Sequence, residues 1–277
     1  LKAGYNKKQL SSDVLAGIVV GIVALPLAVA FAVASGVSPE RGLVTAIVAG
    51  FLISFLGGSR VQIGGPTGAF IVIIVGVISQ YGLDGLMIST ILAGFLLIIF
   101  GVLKLGALLK YFPHPLIVGF TSGIALVIFS TQVKDALGLN IEVLPSGFIG
   151  KWSSYFSNVS TTNLYALGIT VITILIVVFS KKIISKVPGS IIAIVLGTAA
   201  VQLFKLPVNT IETFFGEIPN TFHLEFPKID FEKVGYYFEP ALTIALLGAI
   251  ESLLSAVVAD GMIGSNHRSN TELIAQG

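Results

Sequence analysis

One acid stands alone in the run from Pro240 to Ala259. Glu251 is its only charged residue, accompanied by the hydroxyls of Thr243, Ser252 and Ser255. A carboxylate in the middle of an apolar span is costly to insert, and where it persists it handles a proton or ion, or fixes helix packing through a buried hydrogen bond. At helical spacing Ser255 lies one turn beyond Glu251 on the same face. That polar face implies a cavity or a partner.

The second group is Gly64-Gly65-Pro66-Thr67-Gly68-Ala69. Proline suits the first turn of a helix, and small neighbours leave backbone N–H groups approachable at the positive end of the helix dipole. An anion fits there, with the Thr67 hydroxyl as a further donor. The other reading is close helix packing, for which membrane helices use the same residues. In the first apolar run, Pro26 interrupts the helical ladder and Phe31 follows five residues on. This is either a kink with an aromatic facing lipid or the wall of a site.

Other chemistries are absent from the chain. There is no cysteine, hence no disulfide, thiolate metal site or cysteine nucleophile. His114, His223 and His267 are too scattered to form a zinc site. No nucleophile has a nearby base, so no enzyme, catalytic residue, metal or cofactor is expected. No basic face with interleaved aromatics points to nucleic acid.

These residues are carried by a chain of 277 residues, 55% apolar and 11% charged, with a mean hydropathy of +0.97. A soluble domain has about 25% charged residues, so a soluble globule is excluded and a multi-pass α-helical membrane protein is implied. Eight membrane segments are read at roughly 13–35, 41–57, 66–80, 85–103, 115–133, 163–180, 188–204 and 240–259, and a ninth begins near 270. Segment 66–80 is short for a full crossing and follows Gly-Gly-Pro, so it reads as a half-helix starting inside the membrane. Ten of the 16 basic residues, among them Lys7, Lys8, Arg60, Lys181, Lys182 and Arg268, fall on inner loops if the N-terminus is cytoplasmic, and that topology is preferred. The longest loops, 134–162 and 205–239, then lie outside.

Several smaller features read as structure. Gly17 and Gly21 are spaced for close helix contact. The run from Lys104 to Pro115 reads as a short interfacial helix. Lys181, Lys182 and Lys186 read as topology determinants, and His114 as a structural residue at a helix start. Asn158-Val159-Ser160 matches a glycosylation sequon, meaningful only in a secretory pathway. Asp260, His267 and Arg268 read as a polar inner loop that locks one conformation. Laying Ala24-Leu25-Pro26 over Ala249-Ile250-Glu251 also aligns Val33-Ala34 with Val258-Ala259 and Gly36 with Gly261, either a half-repeat or chance in so apolar a sequence.

The chain resembles the SulP anion permeases, which include bacterial sulfate and bicarbonate carriers and the animal proteins pendrin and prestin. The resemblance rests on Asp13-Val14-Leu15-Ala16-Gly17, Ala24-Leu25-Pro26 through Phe31-Ala32, Gly65-Pro66-Thr67, Pro113-His114-Pro115 with Gly119-Phe120-Thr121-Ser122-Gly123, and Ile250-Glu251-Ser252-Leu253-Leu254-Ser255 through Ala259-Asp260-Gly261. His267-Arg268-Ser269-Asn270 and Glu272-Leu273-Ile274-Ala275-Gln276-Gly277 complete it.

The resemblance implies an inverted-repeat fold of seven plus seven segments with core and gate domains. This chain would be a fragment with the first repeat and the start of the second, lacking the later helices and the STAS domain. Residues 1–12 would be a cytoplasmic segment, and 13–103 the first four core helices with half-helix 66–80. The interfacial helix and gate helices would span 104–204, an extracellular loop 205–239, and core helix 8 with the start of helix 9 would span 240–277. By position, Leu27, Phe31, Thr67, Gly68 and Ala69 would bind the anion, and Glu251 with Ser255 would hold the coupling ion. Sodium-coupled relatives carry Asp where this chain has Glu251, so the resemblance favours H+ over Na+. It implies an elevator-like symporter of an inorganic anion, sulfate first, in the plasma or inner membrane, and a homodimer at full length. Bicarbonate or C4-dicarboxylate transport, an anion channel and a non-transporting membrane protein are the alternatives.

Overall fold

The computed structural model describes residues 6–107, 114–141, 144–145, 147–183, 189–215 and 231–277. Among them the regular structure is α-helix with short 3₁₀ turns. The helices are α1 (Lys7–Ala34), α2 (Pro39–Leu56), α3 (Phe70–Val102), α4 (His114–Leu137), α5 (Phe148–Ser157), α6 (Leu164–Ile183), α7 (Gly189–Phe204), α8 (Ile211–Phe215), α9 (Phe238–Ile263) and α10 (Ser269–Gln276). Among the described residues four helical stretches, Lys7–Ala34, Pro39–Leu56, Phe70–Val102 and Val234–Ile263, are long and apolar enough to cross a membrane.

Local chemistry sets the helix ends. Gly36 at φ 78° turns the chain out of α1, and Ser38-Pro39 starts α2, with proline in the first turn where its missing N–H costs nothing. Gly264, in the left-handed conformation with φ 66° and ψ 34°, closes α9 as its N–H donates to the Asp260 carbonyl. The expected segments 66–80 and 85–103 form the single run α3, broken at Gly82, whose φ of 70° and ψ of −173° no side-chain-bearing residue adopts readily.

Pro66 does not open the half-helix as the sequence suggested. Residues 62–67 are irregular, Gly68 and Ala69 form a turn, and helix begins only at Phe70. The loop expected at 134–162 carries α5 and a 3₁₀ turn, Val159–Thr161. Gly17 and Gly21 face open space among the described residues, against the expected close contact. The tight approach is made instead by Gly42 of α2, where a Cβ would meet the Ala28 carbonyl oxygen and lie 2.7 Å from the Ala32 Cβ. Residues 108–113 of the Lys104–Pro115 run, and Lys186, lie outside the described residues.

The chain divides into two compact units, Leu1–Leu27 with Phe129–Ile218 and Ala28–Ile128 with Pro219–Gly277. In the first, α6 packs along α7 with Gly189 against Ser180, and Leu139, Ile141 and Tyr155 form a buried cluster. Tyr155 donates its hydroxyl to the Ser130 carbonyl at 2.7 Å. In the second, α9 lies against α3, and α10 packs on α2, α3 and α9. Its core joins Ala93 and Leu97 of α3 to Ala241, Ile244, Ala245 and Leu253 of α9 and to Leu273 of α10. Alanine on the facing surfaces brings these helices close, which is how helices associate when lipid is as apolar as leucine.

Candidate functional site

The second unit assembles the site from α9, the start of α3 and the irregular stretch before it. A stretch without helix has no ladder for its N–H and C=O groups, so side chains must hold it. Ser59 Oγ accepts the N–H groups of Val61 and Gln62 at 3.4 and 3.3 Å. The Gln62 amide donates to the carbonyl and hydroxyl of Ser252 on α9 at 3.0 and 3.1 Å. Gly64 fits because a Cβ there would run into Ile53 of α2. The stretch is thereby laid between α2 and α9.

At its end Thr67 meets Glu251. The Thr67 hydroxyl donates to Glu251 Oε2 at 3.2 Å, and the Ala69 N–H points to Thr67 Oγ1 at 3.4 Å. Gly68 is buried, and a Cβ on it would run into Ile128 and lie 3.5 Å from the Phe31 ring, itself 9% exposed. Phe70 and Ile71 send their N–H groups back to the carbonyls of Thr67 and Gly68 at 3.2 and 3.3 Å. The Gly68 N–H makes no hydrogen bond among the described residues. Beside this turn lies a mostly apolar cavity of about 270 Å³, lined by Ala69, Val72, Gly119, Gly123, Ile124 and Val127.

Five of the seven sequence-derived site residues, Phe31, Thr67, Gly68, Ala69 and Glu251, are therefore neighbours in one unit. Leu27 belongs to the other unit and is 44% exposed. Ser255 is exposed and makes no bond to Glu251 among the described residues. Asp260 and His267 do form a polar loop, as Asp260 Oδ2 takes the His267 backbone N–H at 2.8 Å and ring Nδ1 at 2.7 Å. Ser269 closes it on His267 Nε2 at 2.9 Å. Arg268 stands apart, lining a separate polar cavity of about 400 Å³ together with Arg60. Among the described residues no group of three or more His, Cys, Asp or Glu is placed to hold a metal.

Sequence reasoning missed Glu272. It is 1% exposed, and its carboxylate accepts the N–H groups of Gly58 and Ser59 at 2.8 and 3.2 Å. The sequence around it gives no signal of this contact, which spans 214 residues.

The chain matches the family model described as the sulfate permease family over residues 10–277. The putative sulfate transporter YvdB of Bacillus subtilis is 48% identical over 99% of this chain and 52% of its own length. The bicarbonate transporter BicA of Picosynechococcus sp. is 32% identical over 98% of this chain and 49% of its own. The chain thus spans about half the length of the curated relatives it matches. Among solved structures, the transmembrane domain of a cyanobacterium BicA superposes with a TM-score of 0.82 at 30% identity, covering 98% of this chain and 71% of that one. The structure of SLC26A9 gives 0.74 at 19% identity over 98% and 47% of the two chains, a likeness of fold.

Proposed function

The chain belongs to the sulfate permease family, and from that membership and the Thr67–Glu251 hydrogen bond we propose that it is part of a proton-coupled carrier of a small inorganic anion, sulfate first. The hydrogen bond carries the reading. Thr67 has one hydroxyl hydrogen, and it is directed at the Glu251 carboxylate. A protonated Glu251 would itself donate to Thr67 Oγ1 and release the threonine hydrogen toward an anion at the Gly68–Ala69 turn. It would also remove a negative charge beside that anion. Proton and anion then favour each other, and by linkage each raises the affinity for the other to the same extent.

The apolar walls of Phe31, Ile128 and the neighbouring cavity strip water from the anion and strengthen the few donors that remain. Leu27 and Ser255 stay in the proposal as the anion-lining and ion-coupling residues that the family resemblance assigns. The core unit, with the half-helix start and Glu251, carries anion and proton together in an elevator-like movement. The carrier lies in the cell membrane with its N-terminus cytoplasmic and works as a homodimer at full length.

A bicarbonate substrate is the second reading, supported by the likeness to BicA in both sequence and fold. Sulfate stands first because of the 48% identity to a putative sulfate transporter. Uptake of labelled sulfate, bicarbonate and a dicarboxylate by proteoliposomes holding the full-length protein separates these readings. Stimulation by an inward proton gradient is expected. Stimulation by sodium instead would replace the coupling ion, and no uptake of any of the three would overturn the transport reading.

A further inference from the structure

We propose that Glu272 is the positioning residue of this site, holding the stretch from Gly58 to Thr67 against α9 so that Thr67 meets Glu251. The inference rests on the transport reading for its functional consequence and on the hydrogen-bond network for its geometry. Glu272 lies near the start of α10 and is 1% exposed. Its Oε2 accepts from the N–H groups of Gly58 and Ser59, and its Oε1 from Ser252 Oγ at 3.3 Å and Gln276 Nε2 at 3.4 Å.

Every hydrogen in the cluster has a direction. All four partners of Glu272 are donors, which matches a carboxylate that only accepts. Ser252 gives its one hydroxyl hydrogen to Glu272 and accepts from Gln62 at 3.1 Å and Gln276 at 3.0 Å. Ser252 follows Glu251 directly in α9. The tether therefore ends on the residue next to the one that Thr67 must reach.

The stretch it holds cannot hold itself. Residues 62–67 are irregular, and their path is set by the Gly58–Ser59 anchor on Glu272 and the Gln62 anchor on Ser252. Gly58 is pressed so closely on α10 that a Cβ would meet the Arg268 carbonyl and lie 2.9 Å from the Glu272 nitrogen. The Arg268 N–H returns a bond to the Gly58 carbonyl at 3.0 Å. Glutamine at 272 keeps the size of the side chain but replaces one acceptor oxygen by an NH₂ facing donors, so it opens the clamp without leaving a cavity.

The test compares full-length wild type with E272Q, S252A and the pair T67V and T67V/E272Q. Hydrogen exchange of the amides in 58–69 is expected to rise about tenfold in E272Q, while α6 and α7 keep their protection. In proteoliposomes the KM for whichever of sulfate or bicarbonate is carried should rise about tenfold with kcat within about twofold, the split expected when ground-state positioning is lost. T67V/E272Q should be no worse than T67V, since Glu272 acts through Thr67. Unchanged exchange in 61–69, exchange raised throughout the protein, or additive effects of the two substitutions would each overturn the proposal. If E272Q does not fold, S252A, which removes one of the four donors to Glu272 together with an acceptor of Gln62 and Gln276 but leaves the Gly58 and Ser59 anchor in place, decides by the same readouts. If wild type takes up none of sulfate, bicarbonate and the dicarboxylate, the transport reading fails, and the exchange experiment still decides whether Glu272 positions the stretch.

Discussion

The hydroxyl of Thr67 reaches Glu251 Oε2 at 3.2 Å across 184 residues of chain. The turn that precedes α3 and the lone acid of α9, each ambiguous by itself, thereby become parts of one arrangement. A carboxylate that merely locked two helices would be served by any donor. Here the donor belongs to the residue that opens the turn at Gly68.

Thr67→Val should weaken anion affinity about tenfold, the scale of one lost hydrogen bond near a charge, whereas Thr67→Ser should stay near wild type. Glu251→Gln should flatten the pH dependence of transport. In wild type the proton favours the bound anion, so the KM should fall as pH falls, and in Glu251→Gln it should not change. Uptake kinetics between pH 5.5 and about 8 in proteoliposomes check both, and this interval spans the usual range of a titrating relay. An unaltered pH profile in Glu251→Gln would remove Glu251 from the coupling step.

Gly68→Ala should lower thermal stability and anion affinity together, because its Cβ would press on Ile128 beside the Phe31 ring. Overpacking of this kind costs about 1–3 kcal/mol. The double variant Gly68→Ala/Ile128→Ala should regain part of the stability, as measured by thermal unfolding in detergent.

Gly42→Ala should destabilise by about 1–3 kcal/mol, since the atoms in its way are the Ala28 carbonyl and the Ala32 Cβ, neither able to rotate aside. Gly17→Ala and Gly21→Ala should leave the melting temperature unchanged or raise it, given the open space at both positions and a helix-propensity gain of up to about 1 kcal/mol. The ranking of the three melting temperatures is the measurement. Equal losses at all three would mean that glycines 17 and 21 are packed in the full-length protein.

Tyr155→Phe should cost about 1 kcal/mol at pH 8 through loss of the hydrogen bond to the Ser130 carbonyl. Burial, and secondarily the Asp135 carboxylate, push the Tyr155 phenol above its usual range. A folded-state value above the unfolded one means that the folded protein holds the proton more tightly. The resulting stability is present below about pH 10 and is lost as pH rises through the folded value. Wild type should therefore lose its advantage over Tyr155→Phe in thermal unfolding as pH passes 10.

The apolar runs that become the long helices, the isolation of Glu251 and the break at Gly64-Gly65-Pro66 were legible in the residues, whereas the joining of 66–80 and 85–103 into α3 and the presence of α5 within 134–162 were not. An apolar run of some twenty residues has few alternatives to a membrane helix, and a lone acid within one is conspicuous because its insertion is so costly. The family was legible for a related reason, since its motifs lie at these same breaks and charges.

Only the tertiary structure decided which faces meet. Helix α1 is apolar on nearly every side, so no stripe of polarity in the sequence says which side packs, and Gly17 and Gly21, spaced for close contact, face open space among the described residues. The delayed start of α3 at Phe70 was hidden for a similar reason, because Pro66 is acceptable both in a first helical turn and in an extended stretch. Glu272 was hidden most completely. Its partners are backbone N–H groups, which every residue but proline possesses, so nothing in the identities of Gly58 and Ser59 announces that a carboxylate 213 or 214 residues away will claim them.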